Sequence, residues 1–148
     1  MEILFTASSS PLSSLIRSIT HEDVSHCAIR VGEFVVHSNL KGVIIEPYSL
    51  FNKKNKIKHR IYLATRPAEV HRMLAKHFHS PYDYGALLFL ALRFLIPRLP
   101  KRNLWQDSGM FLCTEFVSRV VLQEDNNMLT PFELYTKLKD NVHNGILT

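Results

Sequence analysis

Ser25-His26-Cys27-Ala28-Ile29-Arg30-Val31-Gly32-Glu33-Phe34-Val35-Val36-His37-Ser38 decides how this chain of 148 residues folds. Two apolar, β-branched runs are separated only by Gly32-Glu33, which reads as a hairpin closed by a two-residue turn. The turn sets the register, so that Val31 faces Phe34, Ala28 faces His37 and His26 faces Asn39. His26 and His37 then share one face as diagonal neighbours roughly 5 to 8 Å apart. A slip of one residue would send the two rings to opposite faces. Cys27 points the other way, into the packed side.

Working outward, a strand near residues 2 to 6 and a short helix around 11 to 19 precede the hairpin. Val43 to Glu46 and Ile57 to Thr65 read as further strands. Pro67 opens a helix running to about His79. Thr130-Pro131-Phe132-Glu133 is a capping box with proline at the first helical position, so a final helix begins there. Sheet first and helices after is an α+β outline, expected as one domain over residues 1–148. At 46% hydrophobic content the chain can bury a core large enough to fold alone.

The segment Asp107-Ser108-Gly109 to Val121 combines a turn signal with apolar residues at 112, 116, 117, 120 and 121, a helical spacing. Cys113 therefore sits in the first turn of a helix. Unpaired amides and the positive dipole end favour thiolate there, and a neighbouring imidazolium lowers the thiol pKa further. A thiolate beside a histidine is an activated acyl-transfer nucleophile. A lone strand histidine is more often structural, but a second one in register and a helix-start cysteine turn that reading toward catalysis.

In their order along the chain these pieces resemble the permuted papain-like, NlpC-type cysteine hydrolases, including permuted bacterial amidases and lecithin retinol acyltransferase-like proteins. The matching stretches are an Ile3-Leu4-Phe5 strand, Leu15-Ile16-Arg17, Val24 to Ile29, Gly32, Val35 to Ser38 and Gly42-Val43. Pro81-Tyr82-Asp83-Tyr84-Gly85, Leu112 to Val117 and Thr130 to Leu134 complete them. The resemblance implies a permuted papain-like fold, a small antiparallel sheet packed against helices, with histidines first and cysteine last. It implies Cys113 as nucleophile, His26 as general base and later acid, and His37 as the group orienting the base. Tyr82 falls on the family's Pro-Tyr-x-x-Gly tyrosine, which implies contact with the thiolate or the oxyanion. About thirty residues separate Tyr82 from Cys113, more than in many unpermuted relatives.

The expected activity is a cysteine amidase or peptidase that forms an acyl-enzyme on a peptide or isopeptide bond. Two alternatives stand beside it: a lipid acyl hydrolase or acyltransferase, and a catalytically silent phage or bacterial accessory binding protein of the same fold. No cofactor is expected. His71, His77 and His79 lie on or near one helix, yet no carboxylate or cysteine completes a tetrahedral set, so no metal site is expected either. Glu115 is expected to stabilise the helix start.

Two cysteines, one assigned to catalysis and one to a buried strand face, form no disulfide framework and fit a reducing compartment. The start Met-Glu-Ile-Leu-Phe-Thr-Ala carries an acid at position two and too short an apolar run for a signal peptide. A cytoplasmic location, in a bacterium or a phage-infected host, is the expectation. Net charge is +5, with basic clusters at Asn52 to Lys58 and Arg98 to Arg102. Such clusters can draw anionic polymers or membrane surfaces, but read first as solvated loops, and no nucleic-acid partner is expected. Tyr84 to Pro97 is the most apolar stretch. With roughly a dozen apolar residues and Arg93 among them it is too short to span a bilayer, and it reads as a buried core helix, with membrane-surface or acyl-chain contact as the alternative.

Overall fold

The computed structural model describes residues 1–64, 67–96, 98, 109–124 and 128–147. Five strands form one antiparallel sheet: β1 (Glu2–Ser8), β2 (His26–Val31), β3 (Phe34–Asn39), β4 (Gly42–Pro47) and β5 (Asn55–Tyr62), in the order β4-β3-β2-β1-β5. The helices are α1 (Pro11–Thr20), α2 (Tyr48–Lys54), α3 (Pro67–His77), α4 (Tyr84–Leu95), α5 (Cys113–Val121) and α6 (Pro131–His143). The α+β outline and the small antiparallel sheet are as the sequence predicts.

The hairpin register is the expected one, with Val31 opposite Phe34 and Ile29 opposite Val36. Gly32, first of the two turn residues, takes φ +59°, a conformation that costs glycine little. Alternation then sorts the strands into two faces. Ile3, Phe5, Cys27, Ile29 and Val36 pack with Phe116, Val117 and Val120 of α5 and Leu134 and Leu138 of α6 in the main core. Leu4, Ala28 and Val35 face the opposite way, onto Phe51 of α2. Large apolar side chains of the main core, among them Phe5, Phe111 and Phe116, are fully buried, each worth roughly 1.5 to 3 kcal/mol of transfer free energy.

One expectation is corrected. The basic stretch Asn52 to Lys58 is no solvated loop, because Asn52 to Lys54 close α2 and Asn55 to Lys58 open β5. The physical reason is that Pro47 ends β4 while Phe51 needs a buried seat, which a helical turn supplies. In β5, lysines and Arg60 alternate outward with the better-covered Ile57, His59 and Ile61. Of the second basic cluster, all but Arg98 lies outside the described residues, as do Thr65, Pro97 and the Asp107-Ser108 turn.

The apolar segment forms α4, capped by Asp83, whose Oδ1 accepts from the Ala86 N–H at 2.6 Å. Ala86, Phe89 and Leu90 are buried with Tyr82, Leu112 and Met128, whereas Tyr84 and Leu88 are exposed. It is thus a one-sided packing helix, not a fully buried one. Arg93 is the polar residue within it, and its guanidinium donates to both Glu133 oxygens at 3.1 Å, tying α4 to the first turn of α6. Among the described residues no helix is long and apolar enough to cross a membrane.

The β4 edge is fixed to the segment preceding α4. The Val43 N–H donates to the Ser80 carbonyl at 3.0 Å, and the His79 N–H donates to the Val43 carbonyl at 3.1 Å. Gly42, at φ +95°, makes this possible: a Cβ there would lie 2.2 Å from the Ser80 carbonyl oxygen. Gly32 has open space around it. Gly42→Ala should therefore lower stability by about 2 kcal/mol or more and Gly32→Ala by about 1 kcal/mol. Thermal unfolding of the two variants side by side checks the ranking.

Candidate active site

His26 is the first residue of β2 and His37 the fourth of β3, on the sheet face that meets α2. Their rings stand edge to face with centroids 5.0 Å apart, and His26 Nε2 lies 2.9 Å from His37 Nδ1. Phe51, fully buried, closes the site from beneath, its centroid 5.2 Å from His37 and 6.3 Å from His26. The chain of contacts continues beyond the second ring. His37 Nε2 is 3.0 Å from Glu46 Oε1, and Lys54 Nζ is 3.3 Å from Glu46 Oε2.

The sequence marks Glu46 as the end of a strand and not as a site residue, although a signal for it is present. Ile44 of β4 sits opposite His37, so Glu46, two residues on, occupies the same face at the diagonal position. A carboxylate set diagonally across from a buried strand histidine is the signal that could have found it.

The tautomers follow from this geometry. Burial first, then the positive neighbours His26 and Lys54, push His37 down to about 2; Glu46, whose charge Lys54 shares, does not restore the proton. A neutral His37 that donates from Nε2 to the Glu46 carboxylate presents only a lone pair at Nδ1. His26 must then donate from Nε2, which leaves its Nδ1 as the basic nitrogen.

Cys113 stands at the first position of α5, and Leu112, extended at φ −72° and ψ 160°, leads into the helix. Glu115 Oε2 accepts from the Leu112 N–H at 2.9 Å, so Glu115 stabilises the helix start as expected. Burial raises the Glu115 carboxyl to about 7, with Asp83 and Cys113 adding to the rise. Cys113, carried by α5, lies in the main core on one side of the sheet, whereas strand alternation puts the imidazoles on the other, against Phe51. The two approach at the start of β2, where the His26 ring is near enough to lower the Cys113 thiol. The Cys113 thiol is pushed well below its usual range, first by a hydrogen bond from Cys27 and then, against the cost of burial, by His26. Cys113 itself is 7% exposed.

Tyr82 is brought to the same place by an isolated parallel bridge to Phe111. The Phe111 N–H donates to the Pro81 carbonyl at 3.2 Å and the Ser38 hydroxyl donates to the Phe111 carbonyl at 2.7 Å. Tyr82 is buried, and burial together with the charge of Cys113 holds its phenol protonated. Of the four residues singled out in the sequence, His26, His37 and Tyr82 thus face one groove, and Cys113 lies in the main core.

His26, His37 and Tyr82 line a groove of about 920 Å³. One wall is the serine-rich entry to α1, where Ser10 caps the helix and the Ser13 and Ser25 hydroxyls lie 2.6 Å apart. The other carries Leu40, Lys41, Ile44, Lys53 and Lys54. His71, His77 and His79 do not form a centre: among the described residues no group of three or more His, Cys, Asp or Glu side chains is placed to hold a metal. His77 instead lies edge-on to Phe111, centroids 4.6 Å apart.

No protein-family model matches this chain, and no curated protein matches it in sequence.

A neutral buried His37 has a measurable consequence. Below its ordinary value of 6.5 the unfolded chain binds a proton that the folded site refuses, so stability falls as pH drops from 6.5 toward 2. The slope is at most about 1.4 kcal/mol per pH unit. Glu115, raised from 4.5 to about 7, acts oppositely over its own window. Subtracting the pH profile of His37→Gln from that of the natural chain isolates the histidine: the difference should shrink steadily between pH 6.5 and 4, and denaturation midpoints across that range measure it.

Proposed function

We propose that the chain is a cysteine-dependent hydrolase of permuted papain-like arrangement, acting through an acyl-enzyme on a peptide or isopeptide bond. The observation that carries this reading is the hydrogen-bonded series from Glu46 through His37 to His26, beside which the Cys113 thiol is pushed well below its usual range. A purely structural histidine pair needs no thiol at its end, and a buried structural cysteine needs no imidazole.

In the proposed reaction the Cys113 thiolate attacks the substrate carbonyl carbon and pushes its electron pair onto oxygen. The backbone N–H of Cys113, in the first helical turn and so without an intrahelical acceptor, meets the developing oxyanion, with the Tyr82 phenol as a second donor. Protonated His26 gives its proton to the departing amine, and a thioester remains. Water then attacks as His26 Nδ1 takes its proton, and collapse releases a carboxylic acid and restores the thiolate. His37 fixes the His26 tautomer, and Glu46 fixes that of His37.

A lipid ester is the second reading, favoured by the apolar groove residues Leu12, Ile16, Leu40 and Ile44. Peptide amides and lipid esters assayed side by side decide between the two.

The first test is an electrophilic thiol probe. Labelling should fall on Cys113 and spare Cys27, vanish in Cys113→Ala, and drop about 10²- to 10⁴-fold in His26→Ala. Full turnover by Cys113→Ala would overturn the proposal. Glu46→Gln should cost about tenfold, because it loosens orientation without removing the base. Comparing labelling rates of His26→Ala and Glu46→Gln at fixed pH establishes that order.

A further inference from the structure

We propose that the groove beside the histidine pair selects acidic peptides, with Lys41 and Lys53 holding carboxylates of the substrate. This rests on the hydrolase reading above, and it names the class of peptide that the same site takes. The groove of about 920 Å³ brings His26, His37 and Tyr82 together with Lys41, Lys53 and Lys54. Glu46 is the one acid among the described residues that line it.

That acid is already engaged. Its Oε1 lies 3.0 Å from His37 Nε2 and its Oε2 lies 3.3 Å from Lys54 Nζ, so both oxygens face partners within the protein. Lys54 is thereby matched, and among the described residues no carboxylate pairs with Lys41 or Lys53. Both are exposed on the groove wall. The opposite wall supplies no counter-charge, since the first turn of α1 holds no acidic residue. Two uncompensated positive charges therefore border the groove, and its concave low-dielectric walls concentrate their field.

The two lysines come from different elements, each with its backbone fixed. Lys41 sits in the β3–β4 turn, where its N–H donates to Asn39 Oδ1 at 2.8 Å and the neighbouring Leu40 carbonyl accepts from the Tyr84 hydroxyl at 3.0 Å. Lys53 lies in the last turn of α2, the helix whose Phe51 is seated under the histidines. Neither side chain is in the core, so packing does not call for lysine at either position. A compact ammonium on a flexible stem over a fixed base suits carboxylates that an extended peptide presents at varied heights. Serine hydroxyls along the α1 wall offer donors and acceptors to the peptide backbone. A lysine-rich peptide would meet like charge and be rejected. The charges line a concave groove and not a flat face, which fits one extended chain better than the plane of a bilayer.

The experiment is binding of fluorescein-labelled hexaglutamate, hexaglutamine and hexalysine to the full chain, read by fluorescence anisotropy at low and at physiological salt. Hexaglutamate should bind about tenfold more tightly than hexaglutamine, lose part of that margin as salt rises, and slow iodoacetamide labelling of Cys113. Lys41→Gln/Lys53→Gln should bring hexaglutamate down to the level of hexaglutamine, and Lys41→Glu/Lys53→Glu should favour hexalysine. Lys76→Gln/Lys139→Gln removes the same charge from exposed positions outside the groove and should leave the preference within about threefold of the natural one. Equal affinities for hexaglutamate and hexaglutamine, or an equal loss in both double glutamine variants, would overturn the acidic preference and leave the Cys113 chemistry standing. Phosphatidylserine vesicles that bind through Lys41 and Lys53 where hexaglutamate does not would overturn the peptide assignment. A Cys113 that iodoacetamide never labels in the natural chain would instead overturn the hydrolase reading, and the substrate class with it.

Discussion

Phe111 is the constraint on which the site depends. Its backbone is held on both sides, by the Ser38 hydroxyl from β3 and by the Pro81 carbonyl of the incoming segment, and its ring is sealed against His77 and Phe116. Two residues later the chain enters α5 at Cys113. The position of the sulfur is therefore set by backbone bonds to the hairpin that carries the histidines, and not by helix packing alone. Loss of those bonds would leave α5 free to slide in its apolar bed, since hydrophobic contact is non-directional.

The same junction settles how dry the site is. Cys113 lies among core residues, while the groove is lined by His26, His37 and Tyr82. Charge placed there is screened little by water, so one hydrogen bond or one ring has a large effect on ionisation. This is why the groups nearest Cys113 are displaced in opposite senses: Cys27, Tyr82 and Glu115 upward, Cys113 downward. A cluster that spreads its proton affinities in this way suits proton transfer between fixed partners.

Stability and chemistry also pull against each other at His37. Holding a histidine neutral beneath a sheet costs stability at acid pH, and a carboxylate on an edge strand must be shielded by a lysine to keep its orientation. In exchange the first imidazole has a single tautomer. A core of apolar residues at these positions would be simpler to fold, but it would present no basic nitrogen to the thiol.

By itself the sequence determined the hairpin, its register and the common face of His26 and His37, because period-two alternation and a two-residue turn leave the backbone one arrangement. It also determined Cys113 at a helix start and the capped final helix, since both signals are local. Tertiary structure decided the rest. That Asn52 to Lys58 is helix and strand followed from the burial of Phe51 and from pairing with β1, neither of which is local. Glu46 entered the site through cross-strand pairing with β3. Cys27 and Cys113 entered one core cluster only because α5 packs on β2. Sequence periodicity says which face of an element a residue occupies, whereas packing alone says what the opposing element brings to it.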